Sequence, residues 1–301
     1  MKKNLDYKIA SPGSSLLLLL FAFIIGLVMA GIFVSLLSRI IQRPEAAGRI
    51  LAVVQDLFLF IIPAFVAAFT ATRLPARLLG VDRAPNGKFL LAALLVLMVS
   101  VPAMNVLIEL NRNMHLPASM SSAEAWLRQL EDSAAEATSM ILGGHTAGAL
   151  IVSVLIVGIL AGFSEELFFR GALQRILMAT RIPFWGVIWI VAFIFSAFHF
   201  QFFGFVPRLL LGAYFGYLMY WSRYLWIPVC VHAFNNSVYV LSRWYSGGED
   251  SAAGGLDTYG TDLSSPVEVA AVCASVILTA AGIWWLKSLA GKEENLAAVG
   301  K

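Results

Sequence analysis

Glu165 and Glu166 stand side by side, with Arg170 four residues on, in Ser164-Glu165-Glu166-Leu167-Phe168-Phe169-Arg170-Gly171. His199 follows Phe195 by four residues, and Asn236 follows His232 by four. All three groups lie inside sequence apolar enough to cross a membrane. Carboxylates, imidazoles and an amide together can activate water and stabilise an oxyanion. An ionisable side chain in a bilayer costs ~2.5–3.5 kcal/mol on insertion scales, so several in one chain imply that they meet around a shared polar site.

Helical spacing sorts the residues further. Glu166 and Arg170 are four apart and can pair on one face. Glu165 points about 100° away and can face something else. The competing reading is that these charges mark the cytoplasmic end of a span and reach into water. Leu167, Phe168 and Phe169 weigh against it, because they keep the helix apolar past the acids, and an amphipathic pattern runs on through Arg175 to Met178. A lone histidine on an aromatic helix is more often a satisfied core residue than a catalyst. His232 and Asn236, read singly, would be interhelical hydrogen bonds worth little each. Read together, the groups fall near the centres of their spans, so three helices can present polar atoms at a similar depth. His115 and His145 fall in a loop and at a span edge and receive no role.

The elements that must carry these residues are membrane helices. Of 301 residues, 59% are hydrophobic and 13% charged, against about a quarter charged in a soluble domain. The apolar runs are too long for a soluble core and too continuous for a β-barrel. The expected fold class is an all-α polytopic membrane protein, a bundle of about eight transmembrane helices around a polar cavity. The spans fall near 15–40, 48–71, 88–110, 147–178, 184–205, 207–222, 225–244 and 267–288. Met1-Lys2-Lys3 ahead of the first run resembles a signal peptide, but a run reaching Leu37 suits a spanning helix better. Residues 1–301 read as one membrane domain, with a catalytic core at 145–245 and a Gly/Ser/Asp-rich flexible loop at 246–266. The polar stretch from Asn111 to His145, with helical spacing around Trp126, Leu127 and Leu130, suits the membrane surface.

With the N-terminus inside and eight spans, thirteen Lys and Arg fall inside and seven outside, Arg170 set aside. This favours both termini in the cytoplasm. The net charge is +3 and there is no basic tract, so no nucleic-acid partner is expected. Cys230 and Cys273 both lie in apolar spans and read as buried small hydrophobes rather than a disulfide or a metal site. Gly212 and Gly216 make a Gly-x-x-x-Gly pair suited to close helix packing.

Glu-Glu-x-x-x-Arg, then Phe-x-x-x-His, then His-x-x-x-Asn, in this order on successive membrane helices, resembles the CPBP (Abi) family. That family comprises the type II CAAX prenyl endopeptidases and related bacteriocin-processing and immunity proteins. The resemblance covers roughly residues 145–245. It implies an eight-helix bundle around a polar cavity open to cytoplasm and lipid, and intramembrane peptide hydrolysis. Carried over by position, Glu165 would be the general base that activates water, assisted by His199. His232 and Asn236 would hold and polarise the scissile carbonyl or its oxyanion. Glu166 and Arg170 would be an ion pair that orients the helix. The partners it implies are the bilayer and a membrane-associated protein or peptide substrate, of which a CAAX-type prenylated protein is one class.

The cofactor question stays open at this level. Glu165, His199 and His232 could ligate zinc or another divalent metal, with Asn236 as a fourth donor. Yet no His-Glu-x-x-His is present, an amide is a poor zinc ligand, and a metal-free glutamate–histidine mechanism fits the same residues and is favoured. Two other function classes compete with the endopeptidase. A non-proteolytic peptide-binding, immunity or regulatory protein would keep the cavity, but all four catalytic-type residues are intact. A proton-coupled transporter would spread its acids along a path, whereas in this chain they cluster on one helix apart from Asp56 and Glu109.

Overall fold

The computed structural model describes residues 9, 11–37, 40–41, 43–82, 84–144, 146–246 and 258–299. His145 and residues 247–257, the greater part of the expected flexible loop, lie outside the described residues. Helices and turns make up the described residues, with no strand among them.

The helices, in chain order, are α1 (Pro12–Leu37), α2 (Pro44–Ala71), α3 (Pro75–Leu79), α4 (Gly87–Val99), α5 (Val101–Arg112), α6 (Ser121–Leu142), α7 (Ala147–Met178), α8 (Phe184–Ala197), α9 (Phe205–Ser222), α10 (Trp226–Tyr245) and α11 (Pro266–Val299). The distribution of polarity is the reverse of a water-soluble protein's. Leu17 of α1 is 70% exposed and Ile277 of α11 is 68% exposed, whereas Glu166 and Arg170 are both fully buried. Apolar side chains facing outward and charges facing inward are what a lipid solvent requires. This is an all-α polytopic membrane protein.

Five helices among the described residues are long and apolar enough to span, or six if the bent pair α4–α5 is one span. By length and composition, this does not confirm the expected count of eight. Helix α8 has only 14 residues, roughly 21 Å at 1.5 Å per residue against a hydrocarbon core of about 30 Å. Helix α10 has 20 residues, but His232, Asn235, Asn236, Ser237 and Arg243 make it too polar to qualify by composition. The α4–α5 bend is 49° and sits at Ser100, two residues before Pro102, which has no N–H for the helical ladder.

The expected span 184–205 is interrupted. Helix α8 stops at Ala197, and Phe200 takes a left-handed φ of 53°. Ser196 Oγ then donates to Phe205 O at 2.7 Å, closing the turn back onto the start of α9. Helices α8 and α9 pack tightly because Gly212 and Gly216 leave room. A Cβ on Gly212 would lie 3.0 Å from the Phe195 ring, and one on Gly216 would lie 2.9 Å from Ile188. The two cysteines depart from expectation. Cys230 is half-buried and Cys273 is exposed, because α11 presents that face to the outside of the bundle.

The surface segment also has a structure. Helix α6 buries no residue, and its start is knotted by Glu124. That carboxylate accepts from Arg128, from the Leu116 backbone N–H, and contacts His115. The Arg128 hydrogen bond leads the set that holds the Glu124 carboxyl down to about 2.

Candidate active site

Helix α7 carries the paired acids on a short α segment, Ala161–Glu166, set between two π-helical turns at Val154–Leu160 and Leu167–Gln174. Such turns are rare and gather at functional sites. Helix α10 seats this segment closely. A Cβ on Gly158 would collide with Ser237 Oγ, and one on Gly162 would lie 3.0 Å from the Ala233 backbone nitrogen. The small residues bring the helix bearing Glu165 against the helix bearing His232 and Asn236.

Glu166 and Arg170 pair as their spacing predicts, with Arg170 Nη1 donating to Glu166 Oε1 at 2.7 Å. Arg170 Nη2 donates to Gly212 O at 2.9 Å. Its guanidinium also lies 4.4 Å from the Phe195 ring centroid, a cation–π contact. One fixed cation thus ties α7, α8 and α9 together.

Glu166 does more than pair with Arg170. His232 Nδ1 lies 2.8 Å from the same Oε1. A carboxylate already bound to arginine is an acceptor only, so Nδ1 carries a proton and donates it. The imidazole is then fixed in orientation, stacked on Phe215 with ring centroids 4.8 Å apart. Its other nitrogen, Nε2, faces Glu165 Oε2 at 3.9 Å. That Glu165 oxygen is buried and has no hydrogen-bond partner. Helical spacing accounts for the pairing of Glu166 with Arg170 alone. The contact to His232 spans 66 residues of chain, and no local signal announces it.

His199 reaches the site by a different route from the one its position suggests. It lies in the turn just beyond α8, not near the centre of a span. Its Nδ1 donates to Phe195 O at 2.9 Å, which leaves Nε2 as an acceptor when the ring is neutral. The Phe195 ring stands between the two histidines, 5.0 Å from His199 and 5.9 Å from His232. The turn after His199 is pinned from two sides. Asn111 of α5 donates to Phe202 O at 3.3 Å and accepts from Val206 N at 2.8 Å. Glu131 of α6 accepts from Phe203 N at 3.1 Å, and the Arg128 guanidinium lies 4.1 Å over the Phe203 ring.

Asn236 donates from Nδ2 to Val157 O at 3.1 Å, in the first π turn of α7. An amide has two N–H groups, so one remains for another acceptor. Two further groups join the neighbourhood. Asp56 of α2 is buried and accepts from Ser164 Oγ at 2.7 Å. Arg208 of α9 donates to Gln201 Oε1 at 2.8 Å and interacts electrostatically with both Glu165 and His199. Spacing marks neither as a site residue, since each stands alone in an apolar stretch.

Among the described residues no three His, Cys, Asp or Glu side chains come together as a metal-binding group. Glu165, His199 and His232 do not make one, and with both Nδ1 atoms held by Phe195 O and Glu166 each ring keeps Nε2 for other contacts.

Comparison with known proteins bears on this region alone. Residues 147–238 match the family model described as Type II CAAX prenyl endopeptidase Rce1-like. No curated protein and no solved structure matches. The matched stretch runs from the start of α7 into α10 and contains Glu165, Glu166, Arg170, His199, His232 and Asn236, but not Asp56 or α6. Over residues 147–238, therefore, the chain is similar to the type II CAAX prenyl endopeptidases, which supports a CPBP/CAAX protease family assignment.

Proposed function

We propose that this protein is an intramembrane endopeptidase that hydrolyses a peptide bond in a membrane-associated protein or peptide, with water activated by Glu165. The observation that carries the reading is the chain Arg170–Glu166–His232 ending at the unpartnered Glu165 Oε2. One carboxylate is spent on holding the imidazole, and the other is left facing it with a free oxygen.

In this reading, Glu165 takes a proton from water as the oxygen adds to the scissile carbonyl carbon. His199 Nε2 accepts a hydrogen bond from the water's other O–H, which stays on the attacking oxygen, and so fixes the direction of attack. The carbonyl oxygen gathers negative charge. The remaining Asn236 N–H faces it, and so does His232 Nε2–H when that ring holds both its protons. One such donor is worth ~2.7–4 kcal/mol in the transition state. Glu165 then delivers its proton to the departing amine as the C–N bond breaks. Arg208 adds positive charge beside Glu165 and His199. The substrate class follows from the family, with a CAAX-type prenylated protein as the first to try. In this reading both termini are cytoplasmic, the orientation that the Lys and Arg bias favours.

The test is hydrolysis by purified protein of a membrane-anchored peptide library, prenylated and not, with wild type set against Glu165→Ala, with and without chelator. Cleavage by wild type alone, unaffected by chelator, is the expected result. Peptide binding without cleavage by wild type would favour a binding or immunity protein instead.

Asn236→Asp separates the metal-free route from a metal-dependent one. The substitution replaces an N–H donor by a carboxylate and faces it toward Val157 O. Activity is expected to fall about 10²–10³-fold, the loss typical of one oxyanion donor. A metal-dependent site would gain a better ligand and keep its activity. Stoichiometric zinc in active protein, lost together with activity on chelation, would overturn the metal-free choice.

A further inference from the structure

Asp56 has no part in the reaction just described and lies outside the stretch matched by the family. It sits at the start of a π-helical turn, Asp56–Ile61, in the middle of α2. It is 5% exposed, and its partner Ser164 is fully buried. No Lys, Arg or His among the described residues forms an ion pair with it. A carboxyl group buried in a membrane protein without a cation is expensive to keep. The hydrogen bond it accepts, from Ser164 Oγ to Oδ1 at 2.7 Å, joins residues 108 positions apart.

Ser164 is the residue before Glu165 on the short segment Ala161–Glu166. The flanking π turns interrupt the regular i→i−4 ladder on both sides. Rotation of this segment about its axis is therefore set less by the helix than by what touches it. On one side is α10, packed against Gly158 and Gly162. On the other is the Asp56–Ser164 hydrogen bond. Asp56 also lies close enough to Glu165 to interact with its charge.

From this geometry we infer that Asp56 is a positioning residue for Glu165, acting through Ser164 to fix the rotation of the catalytic turn. The inference rests on the endopeptidase reading for its kinetic consequence, but not for its structural one. The hydrogen bond, rather than the charge, is the active feature. An asparagine at position 56 can still accept at Oδ1 from Ser164, so it should preserve the latch.

The experiment compares Asp56→Ala, Asp56→Asn, Ser164→Ala and the Asp56→Ala/Ser164→Ala double variant in the full chain. Two readouts are taken: steady-state hydrolysis of the best library peptide, and hydrogen–deuterium exchange of the peptide containing residues 161–166. A misplacement of about 1 Å in a catalytic group costs on the order of 10²-fold. Asp56→Ala and Ser164→Ala should each lower kcat by about 10–100-fold and leave KM within about twofold. The double variant should be no slower than the worse single variant, because both remove one interaction. Asp56→Asn should stay within about threefold of wild-type kcat. Exchange in 161–166 should rise in the alanine variants and not in Asp56→Asn.

Wild-type kcat in Asp56→Ala would overturn the inference, as would Asp56→Asn falling with Asp56→Ala, which would assign the role to charge. If Asp56→Ala fails to fold, Ser164→Ala and Asp56→Asn carry the comparison. If wild type cleaves nothing, the endopeptidase reading fails, yet exchange still decides whether Asp56 holds the turn. Unchanged exchange in every variant would sink the latch by itself.

Discussion

Glu165→Gln is expected to lower the rate of peptide hydrolysis by about 10²–10⁴-fold, the usual loss on removing a general base, while the protein stays folded. Glutamine keeps the shape of the side chain but cannot take a proton from water. The structure explains why folding should survive. Glu165 Oε2 has no hydrogen-bond partner, and the His232 Nε2 that faces it is 3.9 Å away. Replacing it leaves no buried partner stranded. The loss should appear in kcat with the elution profile and thermal midpoint of the purified protein unchanged. Wild-type turnover in this variant would remove Glu165 from the mechanism, and the proposed function with it.

The parts of this molecule legible in its sequence are those that depend on local spacing. The apolar run at 147–178 coincides with α7, because a long apolar stretch in lipid has no alternative to a helix. The Glu166–Arg170 pair forms because four residues bring them onto one face. The break after Ala197 is not legible. Phe198, Phe200, Phe202 and Phe203 read as a continuing span, but Asn111, Glu131 and the Ser196–Phe205 contact fold that stretch into a turn. The π turns of α2 and α7 are also silent in sequence, since they shift hydrogen-bond register without changing composition. The contacts of Glu166 with His232 and of Asp56 with Ser164 join separate helices, and only their packing creates them. Motif order thus picks out the candidate groups, whereas tertiary packing decides which group supports which.

Arg170→Ala is expected to cost most of the folded protein, unlike Glu165→Gln. Arg170 is the largest fully buried side chain among the described residues. Its loss removes the donor to Glu166 Oε1 at 2.7 Å and the donor to Gly212 O at 2.9 Å. It also empties the space beside Phe195. Glu166 is then a buried carboxylate with only His232 against it. Breaking a buried pair from one side costs about 3–5 kcal/mol, a large fraction of the ~5–15 kcal/mol that holds a typical domain together. The expected observation is a collapse in the yield of monodisperse protein and a fall in its thermal midpoint. Arg170→Lys should rescue little, because a single ammonium cannot reproduce the planar fork that reaches α7 and α9 together. Glu166→Gln should be milder in stability, since its amide oxygen still accepts from Arg170. Its activity should nevertheless fall, because a neutral amide oxygen accepts from His232 Nδ1 less strongly than a carboxylate does. Replacing both partners at once, Glu166→Leu with Arg170→Met, removes the stranded charge and should recover stability relative to Arg170→Ala. It should not recover turnover, because His232 Nδ1 would have no acceptor. If Arg170→Ala were instead as stable as wild type and inactive, Arg170 would have a direct part in the chemistry, and its role as the structural partner of Glu166 would be wrong.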